Sequence, residues 1–192
     1  MIAFDIDGVV LDFASMLQKH VLIEFGVEWN KSTYYVEIPG VKDHNGFKEE
    51  IDKIVLNNVD TINAIPKAIE SLELFYKYLK TPIRFFTARS NVPEIMEVTQ
   101  ASLERHLVDI EFDVVYVGEH KKDEYLTGYR HFVDDQQGNL LPALNKNIIT
   151  CGYLIDQPWN QKVEGVHDGM IRISNLETVW NLFYNREKRF LI

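Results

Sequence analysis

A single cysteine, Cys151, stands among 192 residues. An intramolecular disulfide is therefore excluded, and the chain suits a reducing compartment. No apolar run approaches the roughly 20 residues that cross a bilayer, and no charged-then-apolar leader opens the chain. The expected location is the cytoplasm. There is no internal repeat, low-complexity stretch or flexible linker. Basic charge is scarce: 20 Lys and Arg stand against 29 Asp and Glu, for a formal net charge of −9. Such a field repels long polyanions, which argues against long nucleic acid or a membrane surface as partner. It leaves room for a small phosphorylated substrate, provided a cation sits in the site. The six histidines show no paired metal-ligand spacing.

What is present is enough chain for one well-buried core, with 46% hydrophobic residues. Short apolar runs occur at Ile2–Phe4, Ile83–Phe86, Val114–Val117, Phe132–Val133 and Ile148–Ile155. Each reads as a strand of a sheet covered on both faces. Helical patterns lie between several of them. Ile69, Leu72, Phe75 and Leu79 share one face, with Pro66 suited to the first turn; Pro93 opens the next helix. Ser174-x-x-Glu177 reads as a capping box for a last helix carrying Leu176, Val179 and Phe183. This alternation predicts an α/β domain, a Rossmann-like, mostly parallel sheet flanked by helices. From about Ala14 to Asn63 the strand series is interrupted by two amphipathic patterns, around Leu17, Val21 and Phe25 and around Phe47, Ile51 and Ile54. We assign residues 14–76 to a small helical cap inserted after the first strand, and 1–13 with 77–192 to the core.

Asp5 and Asp7, in Phe4-Asp5-Ile6-Asp7-Gly8-Val9-Val10, are the most informative residues. Two carboxylates one residue apart at a strand end can share a metal ion and still divide the work of nucleophile and proton carrier. Gly8 lets the chain turn sharply under a ligand. Three further pieces follow: Phe86-Thr87-Ala88-Arg89 after a strand, Lys121-Lys122 in a loop, and Asp134-Asp135 after another strand. Parallel α/β sheets gather their C-terminal strand ends along one edge, where ligands bind. Clustered carboxylates call for a hard cation such as Mg²⁺. The Thr87 hydroxyl and neighbouring N–H groups suit phosphate oxygens, and a lysine supplies a point charge for the transition state.

This ordered set resembles the haloacid dehalogenase-like (HAD) hydrolase superfamily, over Ile2 to about Asp135. A closer resemblance is to the 5′(3′)-deoxyribonucleotidase family, through Asp5-Ile6-Asp7-Gly8-Val9-Val10-Leu11-Asp12-Phe13, Ile65-Pro66-Lys67-Ala68 and Leu154-Ile155-Asp156-Gln157-Pro158-Trp159-Asn160. The resemblance implies Mg²⁺-dependent hydrolysis of a phosphate monoester through an aspartyl-phosphate, most naturally of a deoxyribonucleoside monophosphate. It implies Asp5 as nucleophile and metal ligand, and Asp7 as general acid/base that lends its backbone carbonyl to the metal. Thr87 then binds phosphate, Lys122 or else Lys121 neutralises it, and Asp134 and Asp135 complete the metal site, with Asp135 the first choice as direct ligand. Phe13, Ala88, Arg89 and Lys121 are the expected substrate contacts.

Plainer roles stand beside these. Asp12 suits a helix cap, Phe13 the cap's core, and Arg89 a surface salt bridge. Trp29, Tyr34 and Tyr35 suit packing, and Cys151 a small buried hydrophobe. Asp156-Gln157-Pro158-Trp159 is taken as a structural loop outside the catalytic set. Competing activities are a phosphatase of the same chemistry acting on a sugar phosphate or other small metabolite, a 3′-phosphatase on polynucleotide ends, a dehalogenase, and a catalytically silent phosphate-binding module. Net acidity and a capped site disfavour the polynucleotide, and a dehalogenase leaves Asp7 idle. Every catalytic position holds a competent residue, which disfavours the silent module.

Overall fold

The computed structural model describes residues 1–26, 28–31, 44–58, 60–118, 120–161 and 167–188. In chain order the elements are β1 (Ile2–Phe4), α1 (Phe13–Phe25), α2 (His44–Asn57), α3 (Ala68–Leu79), β2 (Ile83–Thr87), α4 (Pro93–His106) and β3 (Phe112–Tyr116). They continue with β4 (His131–Asp134), α5 (Gln137–Asn145), β5 (Cys151–Ile155), β6 (Met170–Ile173) and α6 (Leu176–Lys188). The strands form one sheet in the order β3-β2-β1-β4-β5-β6, and every pairing is parallel. The chain grows outward from β1 to β3 on one side, then returns to lay β4 on the other flank of β1. That reversal leaves a crevice beyond the C-terminal ends of β1 and β4, where open α/β sheets bind ligands.

Burial explains why these runs are strands. Side chains alternate between sheet faces. Phe4 of β1, Phe85 of β2, Val133 of β4 and Tyr153 of β5 enter one apolar cluster, while Ala3, Phe86, Phe132 and Leu154 enter a second. Both faces are covered along β1 and β5, which are buried at every position. On the first face Phe75 of α3 meets Phe4 at 5.1 Å edge-on and Trp180 of α6 at 5.1 Å. On the second, Leu140, Ala143 and Leu144 of α5 are buried.

α3 also corrects the boundary drawn at residue 76. That cut divides a continuous helix that packs on β1 through Phe75 and on α6 through Phe75 and Tyr78. The helix belongs to the core, and the change of layer falls before it. The cap's helices α1 and α2 bury Leu17, Val21, Ile54 and Val55. A His20 to Glu50 contact of 3.0 Å joins them. Asp12 caps α1, its Oδ1 accepting from Ser15 N at 3.1 Å. Trp29 is buried among the core residues; Tyr34 and Tyr35 lie outside the described residues, as does the side chain of Phe47.

Other local signals read differently in the fold. Asn175, not Ser174, caps α6: its Oδ1 accepts from Thr178 N at 3.0 Å. Pro66 lies in the turn ahead of α3, which starts at Ala68. α5 carries Pro142 in its interior, which as sequence argues against a helix. β6 is a short, half-buried edge strand, too weakly patterned to stand out.

Candidate active site

Asp5 directly follows β1, and its N–H donates to the Val133 carbonyl at 2.8 Å. The register that pairs Phe4 with Val133 thus continues into Asp5 beside Asp134. After Asp5 the chain coils tightly, with Val10 N and Leu11 N both donating to the Ile6 carbonyl at 2.8 and 2.9 Å. Gly8 has φ +76°, and a Cβ there would lie 2.5 Å from Asp135 Oδ2. Two demands therefore select glycine at one position: a left-handed backbone and direct contact with a carboxylate.

Asp5, Asp134 and Asp135 are buried, and each offers an oxygen within 4.8 Å of the others. Lys122 rises into this group from a single 3-10 turn, Lys122–Glu124. Its Nζ is 2.7 Å from Asp5 Oδ1 and 2.9 Å from Asp134 Oδ2. Lys121, one residue earlier, is exposed.

The two neighbouring acids at the end of β4 are held differently. Asp134 is saturated: Oδ1 accepts from Gln136 N at 2.7 Å and Asn139 Nδ2 at 3.1 Å, and Oδ2 from Lys122 and again from Asn139 at 3.1 Å. Asp135 Oδ2 accepts from the Trp159 indole at 2.8 Å. Among the described residues, Asp135 Oδ1 is the buried side-chain oxygen or nitrogen with no hydrogen-bond partner.

Charge in this pocket is out of balance. Burial pushes the Asp5 carboxyl from the ordinary 3.8 up to about 7, against the pull of Lys122. Burial, with Asp134 and Asp5 beside it, raises Asp135 well above the usual carboxylate range. Burial opposes the Lys122 ammonium, but Asp134 and Asp5 outweigh it and hold the lysine charged. One cation facing three acids leaves negative charge to be compensated. An all-oxygen donor set, an unpartnered carboxylate oxygen and excess negative charge fit a hard divalent cation such as Mg²⁺.

Thr87 ends β2 and is buried, its Oγ1 accepting from Arg89 N at 3.1 Å. Ala88 is exposed. Arg89 is not the surface salt bridge weighed from the sequence: it is 6% exposed. Its fork clasps Asp7 from both sides, Nε to Oδ2 at 2.9 Å and Nη2 to Oδ1 at 2.7 Å, while Nη1 donates to Thr99 Oγ1 at 3.0 Å. The Asp7 carboxylate therefore faces Arg89, outside the group of three acids. Phe13 is buried in the core at the start of α1, the packing role weighed for it.

Sequence reasoning missed Asn139, Gln157, Trp159 and Asn160. Asn139 lies on α5, the helix that Pro142 obscured. The other three follow β5, whose C-terminal end lies on the same sheet edge as Asp5 and Asp134. That position on the sheet edge is the signal that points to them.

No protein-family model matches this sequence, and no curated protein does. Solved structures do share its fold. A haloacid dehalogenase-like hydrolase from Burkholderia xenovorans superposes with a TM-score of 0.58 at 14% identity, covering 96% of each chain. A β-phosphoglucomutase assignment from Thermotoga maritima gives 0.56 at 18% identity, over 96% of this chain and 98% of that one. A HAD hydrolase of Bacillus subtilis, determined with magnesium bound, gives 0.56 at 11% identity, over 94% and 96%. At these identities the likeness establishes the fold: a HAD-like α/β core with a helical cap. No helix of the described residues is long and apolar enough to cross a membrane.

Proposed function

We propose that this protein is a Mg²⁺-dependent phosphatase that hydrolyses a small phosphate monoester, with a deoxyribonucleoside monophosphate as substrate. The observation that carries it is the convergence of Asp5, Asp134, Asp135 and Lys122 at one crevice, with Asp135 Oδ1 left without a partner. Asp5 and Asp135 would hold the cation, with the backbone carbonyl of Asp7. When bound, the cation draws negative charge off the phosphate oxygens and lets an anionic nucleophile approach an anionic ester.

The residues of the chain divide the reaction. An Asp5 oxygen attacks phosphorus; the Asp5–phosphate bond forms as the ester P–O bond breaks. The departing alkoxide takes a proton from Asp7. Water then attacks the aspartyl-phosphate, gives its proton to Asp7, and frees Asp5 and inorganic phosphate. Lys122 sets the Asp5 carboxylate in place and offers its charge to the transferring group. Thr87 and the backbone N–H of Ala88 receive phosphate oxygens. For Asp7 to carry a proton, Arg89 must release one of its oxygens. Asp7 is 23% exposed on its side chain, so it can exchange that proton with solvent. Asp52 of α2 accepts from Ser90 Oγ at 2.7 Å, which ties the cap to the loop carrying Thr87 and Arg89 and limits water at the site.

The motif resemblance supports a deoxyribonucleotide. A sugar phosphate is the second reading, supported by the β-phosphoglucomutase that shares the fold. Net acidity disfavours a long polyanion in either case. The test is phosphate release with Mg²⁺ from deoxyribonucleoside 5′- and 3′-monophosphates beside a panel of sugar phosphates. Release from nucleotides above sugar phosphates, lost in Asp5→Asn, is expected. Preference for sugar phosphates moves the assignment to the second reading. No release from any ester, or undiminished release by Asp5→Asn, refutes the phosphatase.

A further inference from the structure

We infer that Trp159 is a positioning residue for the divalent cation, and that the loop Gln157–Asn160 after β5 is the clamp that sets the Asp135 carboxylate for it. This rests on the proposed reading of Asp5 and Asp135, beside Asp134, as a cation site. The loop makes two hydrogen bonds to Asp135 and one to Gly8, which lies against it. Trp159 Nε1 donates to Asp135 Oδ2 at 2.8 Å. Asn160 Nδ2 donates to the Asp135 carbonyl at 2.8 Å and to the Ile155 carbonyl at 2.7 Å. Gln157 Nε2 donates to the Gly8 carbonyl at 2.6 Å.

Together these contacts decide which oxygen of Asp135 is available. Oδ2 is enclosed on two sides, by the indole N–H and by the backbone of Gly8, where even a methyl group would stand 2.5 Å away. Oδ1 is the oxygen left over. A carboxylate with one oxygen anchored loses its freedom to rotate, so the other is presented in one orientation. Outer hydrogen bonds of this kind orient a metal's ligands and set their affinity. The loop is itself held firmly. Gln157 N donates to Asn160 Oδ1 at 3.0 Å, Arg172 Nη1 of β6 donates to the same oxygen at 3.0 Å, and Arg172 Nη2 donates to the Asn160 carbonyl at 2.5 Å. Trp159 packs on the main apolar cluster. The clamp is thus braced on the sheet and reaches both Gly8 and Asp135.

The geometry also makes Trp159 a reporter. Of the chain's three tryptophans, Trp29 is buried in the core and Trp180 stacks on Tyr184 with ring centroids 5.1 Å apart. Trp159 is the one that donates to a carboxylate of the proposed site. A cation bound at Asp135 changes the field on that indole.

The experiment is Mn²⁺ binding to the metal-free full chain, followed by electron paramagnetic resonance, with Mg²⁺ as competitor and tryptophan fluorescence read in parallel. Trp159→Phe keeps the apolar body and removes the N–H. It is expected to weaken Mn²⁺ binding about tenfold, to leave the metal-free melting temperature near wild type, and to lose the fluorescence response that Trp180→Phe retains. Gln157→Ala, at a half-buried position, is expected to weaken binding less. It keeps the question open to test should Trp159→Phe fold poorly. Wild-type affinity in both variants, or a fluorescence response that survives in Trp159→Phe, overturns the inference. A wild type that takes up no Mn²⁺ overturns it together with the proposed function. A wild type that binds Mn²⁺ in a Trp159-dependent way but hydrolyses no ester leaves the inference standing and sinks the phosphatase alone.

Discussion

Asp5→Asn separates stability from chemistry at a single atom. With its carboxyl raised from 3.8 to about 7, mainly by burial, Asp5 is a group whose ionisation opposes folding when no cation is present. The folded chain holds this proton more tightly than the unfolded chain. The stability it contributes is therefore complete below about pH 4 and is lost as the pH rises through about 7. A shift of this size corresponds to about 4 kcal/mol over that window. Asn cannot titrate, keeps the shape, and its amide oxygen can still accept from Lys122. In the presence of a chelator, Asp5→Asn should therefore gain on the wild type by about 2–4 kcal/mol between pH 4 and pH 8, the lower figure allowing for the weakened pairing with Lys122. Added Mg²⁺ should close most or all of that gap, because a cation that binds only the folded wild type at a hundred times its Kd adds about 2.7 kcal/mol. The assay is urea denaturation of both proteins across pH, with chelator and with Mg²⁺. A stability difference that stays flat with pH, or a wild type more stable than Asp5→Asn in chelator at pH 8, would refute the view that Asp5 is held against its own ionisation.

Gly8→Ala places a Cβ 2.5 Å from Asp135 Oδ2 on a backbone with φ +76°; a loss of about 2–5 kcal/mol is expected from the left-handed strain and the overpacking together, measured by denaturation, with Mg²⁺ binding lost as well. Lys122→Met leaves Asp5 and Asp134 facing each other without their shared cation. It should cost about 3 kcal/mol, more at pH 8 than at pH 5 because Asp5, raised to about 7, must then ionise without the lysine beside it, and should abolish phosphate release. Asp52→Ala removes the acceptor of Ser90 Oγ, so KM should rise up to about tenfold, the worth of a hydrogen bond to a charged group, while kcat changes less; steady-state kinetics with the preferred ester would show this.

Much of the scaffold was legible from order and composition because its signals are local. The apolar runs at Ile2 and Phe132 are buried on both faces of the sheet, and a strand so placed reads as a near-continuous apolar run. The Asp5-Ile6-Asp7-Gly8 turn and the Asp134-Asp135 pair were legible for another reason: in a parallel sheet, residues that directly follow adjacent strands have one place to go. Elements missed or misplaced were those in which tertiary contacts overrule a local rule. α5 forms around Pro142 because Leu140, Ala143 and Leu144 cover the second face of the sheet. Asn175 takes the cap that the Ser174 spacing suggested. α3 reaches into residues assigned to the cap because Phe75 needs Phe4 and Trp180.

Within the site the division is the same. Covalent sequence alone determined which acids, which lysine pair and which hydroxyl were available, since chemistry of this kind depends on residue type. Folding decided how they are paired. It buried Lys122 between two carboxylates and left Lys121 in water, gave Arg89 to Asp7, saturated Asp134, and left one oxygen of Asp135 bare. Those choices depend on distances of about 3 Å between residues far apart in the chain, and on the low dielectric that makes each pairing strong. Neither quantity is written in the order of residues; both exist once the strand ends of a single sheet have been brought to one edge.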